Sequence, residues 1–272
     1  MTESQATEPH VYEVFAIKYA AMPDRQPWTN FIGIDEHDGP LGLDFYVWLI
    51  QGGGRTWVVD IGYDQAVADK RGRSIIRNPV DGLKLMGVDA ATVEDVIITH
   101  LHWDHVGNVG LFPKARIHVQ DREMQYATGR YMQYPAFRHA YELDHVLEMV
   151  RAVYADRTVF HDGDQELAPG LSVHFIGGHT MGLQSVRVWT RRGWVVLASD
   201  ASHLYPNMEL SRPFPIVFHV GEMLEGHKKL RRLASSADHV IPGHDPDVMR
   251  RYPAPRPDLE GIVVRLDVEP VV

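Results

Sequence analysis

The sequence predicts an α/β fold, and three observations predict it. Short apolar runs, Val96-Ile97-Ile98, Trp194 to Ala198 and Val240-Ile241, each break into a loop that carries histidine or aspartate, as buried strands do at their ends. Between them lie segments with helical apolar spacing and helix-capping residues. The runs before His100 and His244 echo each other, as expected of two β/α halves. With 272 residues, 44% of them hydrophobic, the chain can bury a sizeable core, and residues 1–272 are expected to form one domain.

Taken in order, Met1 to His10 is polar and lacks the basic start and apolar centre of a signal peptide. Val11 to Tyr19 reads as a strand. Residues 1–40 are read as an N-terminal extension or lid; within them Met22 to Asp38 is rich in turn formers and carries Trp28 and Phe31, which suits a lid, a dimer contact or an ordinary loop. Phe45 to Gln51 and Thr56 to Asp60, joined by Gly52-Gly53-Gly54, read as a hairpin. A helix starts at Pro79, with Asn78 as cap and Gly87 at its end. Val96 to Thr99 and Arg116 to Gln120 are strands, and Asp121 is placed to cap a helix ending near Gly129. Ala136 to Val153 has helical spacing, with Phe137, Tyr141, Val146 and Met149 on its buried face, and Val220 to Leu233 is a further helix.

The strand from Val96 delivers Thr99-His100-Leu101-His102-Trp103-Asp104-His105, an H-x-H-x-D-H cluster. Alternation in an extended segment puts His100 and His102 on one side, and a turn there can bring Asp104 and His105 onto a neighbouring position. Imidazole and carboxylate suit zinc and similar ions, and a single tetrahedral site rarely takes four ligands from one short loop, so the pattern suits two metals. Three more donors stand at strand ends: His179 after Phe175-Ile176-Gly177-Gly178, Asp200 after Trp194 to Ser199, and His244 after Val240-Ile241-Pro242-Gly243.

With these residues in place the chain resembles the metallo-β-lactamase superfamily, whose pattern is H-x-H-x-D-H, then a His, an Asp and a His; the resembling stretch runs from about Phe45 to His244. The resemblance implies an αββα sandwich, two mixed β-sheets packed face to face with helices outside. It also implies that His100, His102 and His179 bind one divalent ion, that Asp104, His105 and His244 bind the other, and that Asp200 bridges them. Zinc is the default metal, and manganese, iron or cobalt suit the same all-N/O donors. Such a pair, roughly 3.5 to 4 Å apart, holds a bridging hydroxide that is nucleophilic at neutral pH. Asp60, in Val58-Val59-Asp60-Ile61-Gly62, matches a superfamily position as well; it either orients a ligand histidine or caps a local turn.

Composition narrows the class. There is no cysteine, which excludes disulfides and thiolate ligands. No apolar stretch approaches the roughly 20 residues of a membrane span, and the expected location is the cytoplasm. A formal charge of −9 argues against nucleic acid, and the basic clusters Arg187 to Arg192 and Lys228 to Arg232 read as solvated faces. A small-molecule lactone or ester is the expected partner, with a homodimer common for soluble proteins of this kind.

Within the superfamily, the string HLHWDHVGN from His100 to Asn108 and the Gly-His-Asp-Pro segment at 243–246 resemble the N-acyl homoserine lactonases and related lactonases. That resemblance implies attack of the bridging hydroxide on a lactone carbonyl, with Asp104 moving a proton to the departing alkoxide. Related lactonases carry a tyrosine three residues after the bridging aspartate, where this chain has His203. Either His203 replaces that donor, or Tyr205 reaches in, or His203 is an ordinary loop residue. Trp103, Met208, Phe214 and Phe218 are candidates for an acyl pocket, against ordinary core packing. A glyoxalase-type thioesterase and an aryl ester or phosphoester hydrolase fit the same ligands. A non-catalytic metal-binding protein ranks below them, because none of the seven ligands is missing. A β-lactamase, which lacks a bridging carboxylate, and a flavodiiron-type redox protein, which carries a carboxylate at the position of His102 and a flavin domain, fit worse.

Overall fold

Both faces of the central strands are apolar, and the computed structural model, which describes residues 9–33 and 35–272, shows why. Among the described residues twelve strands occur: β1 (Glu13–Met22), β2 (Leu43–Gly52), β3 (Arg55–Val59), β4 (Asp95–Ile97), β5 (Arg116–Gln120), β6 (Thr158–His161), β7 (Gln165–Ala168), β8 (Leu171–Phe175), β9 (Gln184–Thr190), β10 (Gly193–Ser199), β11 (Val240–Pro242) and β12 (Val263–Arg265). They form a seven-stranded sheet in the order β12-β1-β2-β3-β4-β5-β6 and a five-stranded sheet in the order β11-β10-β9-β8-β7. Both are mixed: β3 to β6 run parallel beside an antiparallel half, and β11 lies parallel to β10 in an otherwise antiparallel sheet.

Alternation along a strand therefore sorts apolar side chains between two cores rather than between core and water. On β1, Phe15, Ile17 and Tyr19 pack with Leu83 and Met149 of the flanking helices, whereas Val14 and Ala16 pack with Val173, Val186 and Leu197 of the smaller sheet. This is the αββα sandwich, and it sets the C-terminal ends of β4 and β10 side by side: the Thr99 and Ser199 hydroxyls, just beyond and at those ends, lie 2.8 Å apart.

Most predicted elements appear with shifted ends. The hairpin turns on Gly53 and Gly54, both at positive φ (59° and 74°), the backbone a tight two-residue turn requires. The helix Pro79–Leu85 is capped by the Asn78 side chain, which accepts from Val80 N at 3.0 Å. Asp121, expected as a cap, instead occupies the first turn of Asp121–Ala127; Gln120 stands at the cap position but gives no side-chain cap, its amide being bonded to the Gly163 carbonyl and Gln184. The expected helix over 136–153 is broken into Pro135–Arg138 and Leu143–Tyr154. The carbonyls between them are spent on tertiary bonds: Ala140 O accepts from Trp103 N at 3.0 Å, and Arg71 reaches the carbonyls of His139 and Tyr141.

The stretch read as an extension or lid divides in three. Residues 1–8 and 34 lie outside the described residues. β1 is an interior strand, paired on one side with β2 and on the other with β12. Residues from Pro23 onward leave the sheet, and Asp24, Arg25, Gln26, Trp28 and Thr29 form one wall of a cavity of about 730 Å³. No helix among the described residues is long and apolar enough to cross a membrane.

At the opposite end of the larger sheet, buried Asp95 takes a guanidinium from Arg55, another from Arg116 at 2.7 Å, and His118 Nε2 at 3.1 Å. Burial works against its charge, but His118 and the two arginines hold the carboxyl below its ordinary range. A depressed carboxylate stabilises the fold above the unfolded pKa and loses that contribution as pH falls through the folded one. Asp95→Asn is therefore expected to cost about 1 to 3 kcal/mol at neutral pH, with the gap to the parent protein closing below about pH 4. Urea denaturation of both proteins across that range measures it.

Candidate metal centre

Four strand ends bring the predicted ligands together. The loop after β4 supplies His100, His102, Asp104 and His105; the loops after β8, β10 and β11 supply His179, Asp200 and His244. All seven are buried. Ligand atoms of His100, His102 and His179 lie within 4.8 Å of one another, as do those of Asp104, His105 and His244. Asp200 stands between the two triads and offers each a different oxygen. Its Oδ2 is 3.9 Å from His100 Nε2 and 3.3 Å from His179 Nε2, and its Oδ1 is 3.4 Å from His105 Nε2 and 3.1 Å from His244 Nε2.

Three of these rings, His105, His179 and His244, are engaged from behind through Nδ1, which fixes those imidazoles in place. His105 Nδ1 donates to Asp60 Oδ2 at 2.7 Å, His179 Nδ1 to the Ile216 carbonyl at 2.6 Å, and His244 Nδ1 to the Asp44 carbonyl at 2.9 Å. Asp60 also accepts from Thr99 N and Thr99 Oγ1, both at 2.8 Å, so one carboxylate orients His105 and the strand end that carries the motif. It does so at φ 56°, the left-handed region that an aspartate occupies at a cost. Of the two readings of Asp60, orientation of a ligand histidine is the one these bonds describe.

Burial and the neighbouring imidazoles push His100 and His102 well below the usual histidine range, and burial lowers His179 to about 4. These rings are neutral donors, as metal ligation needs. Burial also opposes charge on His105, but the Asp200, Asp104 and Asp60 carboxylates outweigh it and push that ring upward. The test of fit is hydrogen bonding: His100 Nε2, His105 Nε2 and Asp200 Oδ1 are buried with no partner. Orphaned buried donors and acceptors are costly, and three of them aimed into one N/O cluster fit divalent cations.

Above the ligands opens a cavity of about 730 Å³. Asp104, Asp200, His203 and His244 reach it, as do Trp103 and Phe45. His203 Nε2 bonds Asp200 Oδ2 at 2.8 Å, and its ring stacks on Phe214 at 3.5 Å. Tyr205 sits elsewhere: its ring packs in the second core beneath the Arg251 guanidinium, and its buried hydroxyl has no partner. Of the acyl-pocket candidates, Trp103 lines the cavity, whereas Met208 and Phe214 are core and Phe218 packs among Tyr126, Tyr131 and Phe137.

Sequence reasoning missed Glu123. Its buried carboxylate accepts from Leu101 N (2.9 Å) and Tyr141 OH (2.9 Å) on one oxygen, and from Thr180 Oγ1 (2.6 Å) and Gly182 N (3.0 Å) on the other. The loops of His102 and His179 are thus tied to one side chain, and Tyr141 packs edge-on against His102 at 4.7 Å. No local pattern announces this, since the partners come from three separate segments.

The chain belongs to the metallo-beta-lactamase superfamily, whose family model matches residues 45–244, the stretch that carries this fold and donor cluster. It is similar to the N-acyl homoserine lactonase AttM of Azorhizobium caulinodans, 30% identical over 174 residues that cover 61% of this chain and 63% of that protein. It is likewise similar to the N-acyl homoserine lactonase AiiA of Bacillus thuringiensis subsp. kurstaki, 31% identical over 170 residues and 61% of each chain. The match spans less than two thirds of these curated relatives' length. A solved structure of an N-acyl homoserine lactone hydrolase, with the product N-hexanoyl-L-homoserine bound at its catalytic metal centre, has a TM-score of 0.72 at 23% identity. It covers 88% of this chain and 96% of that one, a likeness of fold.

Proposed function

We propose that this protein is a dinuclear metal-dependent hydrolase that opens lactones, N-acyl homoserine lactones or a related cyclic ester. The observation that carries the reading is Asp200, which offers one oxygen to each of two buried triads at the floor of an open cavity. Two divalent ions, zinc first, held by His100, His102 and His179 and by Asp104, His105 and His244 with Asp200 between, would supply Lewis acidity toward the carbonyl and a readily deprotonated water. The relatives named lactonases support the ring-opening reaction in particular.

The chain's own groups have separate tasks in that reaction. Asp60 holds His105, the Asp44 and Ile216 carbonyls hold His244 and His179, and Thr99 Oγ1 lies 3.1 Å from His100 Nδ1, so that substrate binding costs little reorganisation. Asp104 presents its carboxylate to the cavity and carries the proton to the leaving alkoxide. His203, which lies on the cavity and bonds Asp200, is the better candidate for contact with the carbonyl than Tyr205, whose hydroxyl is enclosed in the core. Trp103, Phe45, Leu43 and Trp28 give the cavity an apolar wall for the remainder of the substrate. Asp24 to Thr29 on the facing wall supports the lid reading of that segment.

The test is a pH-indicator assay of the zinc-loaded protein on N-acyl homoserine lactones, simple γ- and δ-lactones, a glutathione thioester and an aryl ester, with Asp104→Ala as control. The expected result is preference for lactones, with a loss of more than about hundredfold in the control, beyond the effect of removing an outer partner of a ligand. Turnover of the thioester or aryl ester with silence on every lactone would sink the substrate class.

A further inference from the structure

We propose that the cavity reads a carboxylate carried by its substrate, through Arg25 assisted by Arg73, so that the preferred substrate is an anionic lactone. The proposal rests on the lactonase reading above and narrows it. Arg25 follows β1 on the wall that faces the metal ligands and is 7% exposed. Its Nε donates to Thr29 Oγ1 at 2.9 Å and its Nη2 to the Thr29 carbonyl at 2.7 Å, which fixes one edge of the guanidinium. The rest of the fork has no protein partner among the described residues, although the residue lines the cavity.

The other buried or half-buried arginines nearby are spent. Arg71, on the same cavity, is held by Glu142 at 2.7 Å and lies over the Trp103 ring, and Arg212 is forked onto Asp38. Arg25 forms no ion pair among the described residues; the Asp200 and Asp104 carboxylates support its charge from across the cavity, and Arg73, exposed on the same cavity, opposes it. Burial lowers Arg25 to about 10, so it stays protonated at neutral pH. Of the acidic side chains on the cavity, Asp104 and Asp200 belong to the ligand set, and Asp24 is exposed. Once the two ligand carboxylates serve cations, a desolvated guanidinium is left short of negative charge, a costly state unless the substrate brings it. A carboxylate matches the free edge of the fork with charge-assisted bonds; a neutral acyl chain does not.

The carboxylate could belong to the substrate or be the one that ring opening releases, and matched substrates separate the two. The zinc-loaded protein is assayed on 5-oxotetrahydrofuran-2-carboxylate and on its neutral carboxamide, and binding of glutarate is measured by calorimetry. The acid is expected to exceed the amide in kcat/KM by about tenfold to hundredfold, mainly through KM. Arg25→Gln is expected to bring that ratio to about one and to weaken glutarate tenfold or so. Arg25→Lys should give an intermediate ratio, and Arg73→Ala, at an exposed position, should lower the ratio at an unchanged thermal midpoint; these two carry the test if Arg25→Gln does not fold. Equal wild-type rates on acid and amide, with glutarate binding indifferent to Arg25, overturn the proposal and leave the lactonase reading standing. An equal fall on both substrates in Arg25→Gln assigns the arginine to the released carboxylate and overturns it too. Silence on both lactones, with glutarate binding still dependent on Arg25, overturns the lactonase reading and keeps the anion subsite.

Discussion

On the proposed dinuclear reading, Asp200→Ala is expected to lower the bound divalent metal to one ion or none and to lower hydrolysis more than about hundredfold, beyond the 10- to 100-fold typical of an outer partner. The reason is geometric. Among the described residues no other carboxylate faces both triads: Asp104 Oδ2 lies 3.6 Å from His105 Nε2 and 3.7 Å from His244 Nε2, whereas Asp200 also approaches His100 and His179. Alanine would leave a three-histidine set and an Asp-His-His set with nothing between them to offset the repulsion between two bound cations. His203 cannot take over the bridge: its Nε2 reaches the place of Asp200 Oδ2 beside His179, and one imidazole nitrogen serves one ion where a carboxylate serves two. Elemental analysis after dialysis against dilute zinc, alongside the lactone assay, checks both parts. Retention of two tightly held ions would mean that Asp200 is not the shared ligand.

The site was legible in the sequence where its chemistry is local. His100, His102, Asp104 and His105 sit within six residues at the end of an apolar run, and His179, Asp200 and His244 each close another. The residues that hold this set in place are legible only in part. Asp60 stands at a strand end and drew notice, but its partners Thr99 and His105 are 39 and 45 residues away. Glu123 reads as one acid in the first turn of a helix, and Arg25 as one polar residue in a turn-rich stretch; neither has a partner pattern nearby. Secondary structure divides the same way. Arg116–Gln120 and Val220–Leu233 agree end to end because a local pattern and a buried face coincide there. The break at 139–142 was invisible because carbonyl bonds to Trp103 and Arg71, not side-chain periodicity, end the first helix.

Glu123 is where the second large effect is expected, and two substitutions separate its charge from its geometry. Glu123→Ala removes four hydrogen bonds at once and strands Leu101 N, Gly182 N, Tyr141 OH and Thr180 Oγ1 in a buried space. Burial pushes this carboxyl upward, so its ionised form is itself costly, and the four donors are what offset that cost. The expected loss is about 4 kcal/mol in urea denaturation, less than the sum of four separate bonds because part of the space fills or hydrates. Glu123→Gln is a finer probe. Its carbonyl oxygen can still serve Leu101 N and Tyr141 OH, and its amide can donate to Thr180 Oγ1, but it meets Gly182 N donor to donor. One bond is lost and one reversed, so about 1 to 2 kcal/mol is expected. Because Leu101 and Tyr141 set the position of His102, and Thr180 and Gly182 that of His179, both variants should also weaken metal at the three-histidine site before the other. Stepwise zinc release to a chelator reads that order; equal loss at the two sites would make Glu123 a residue of stability alone.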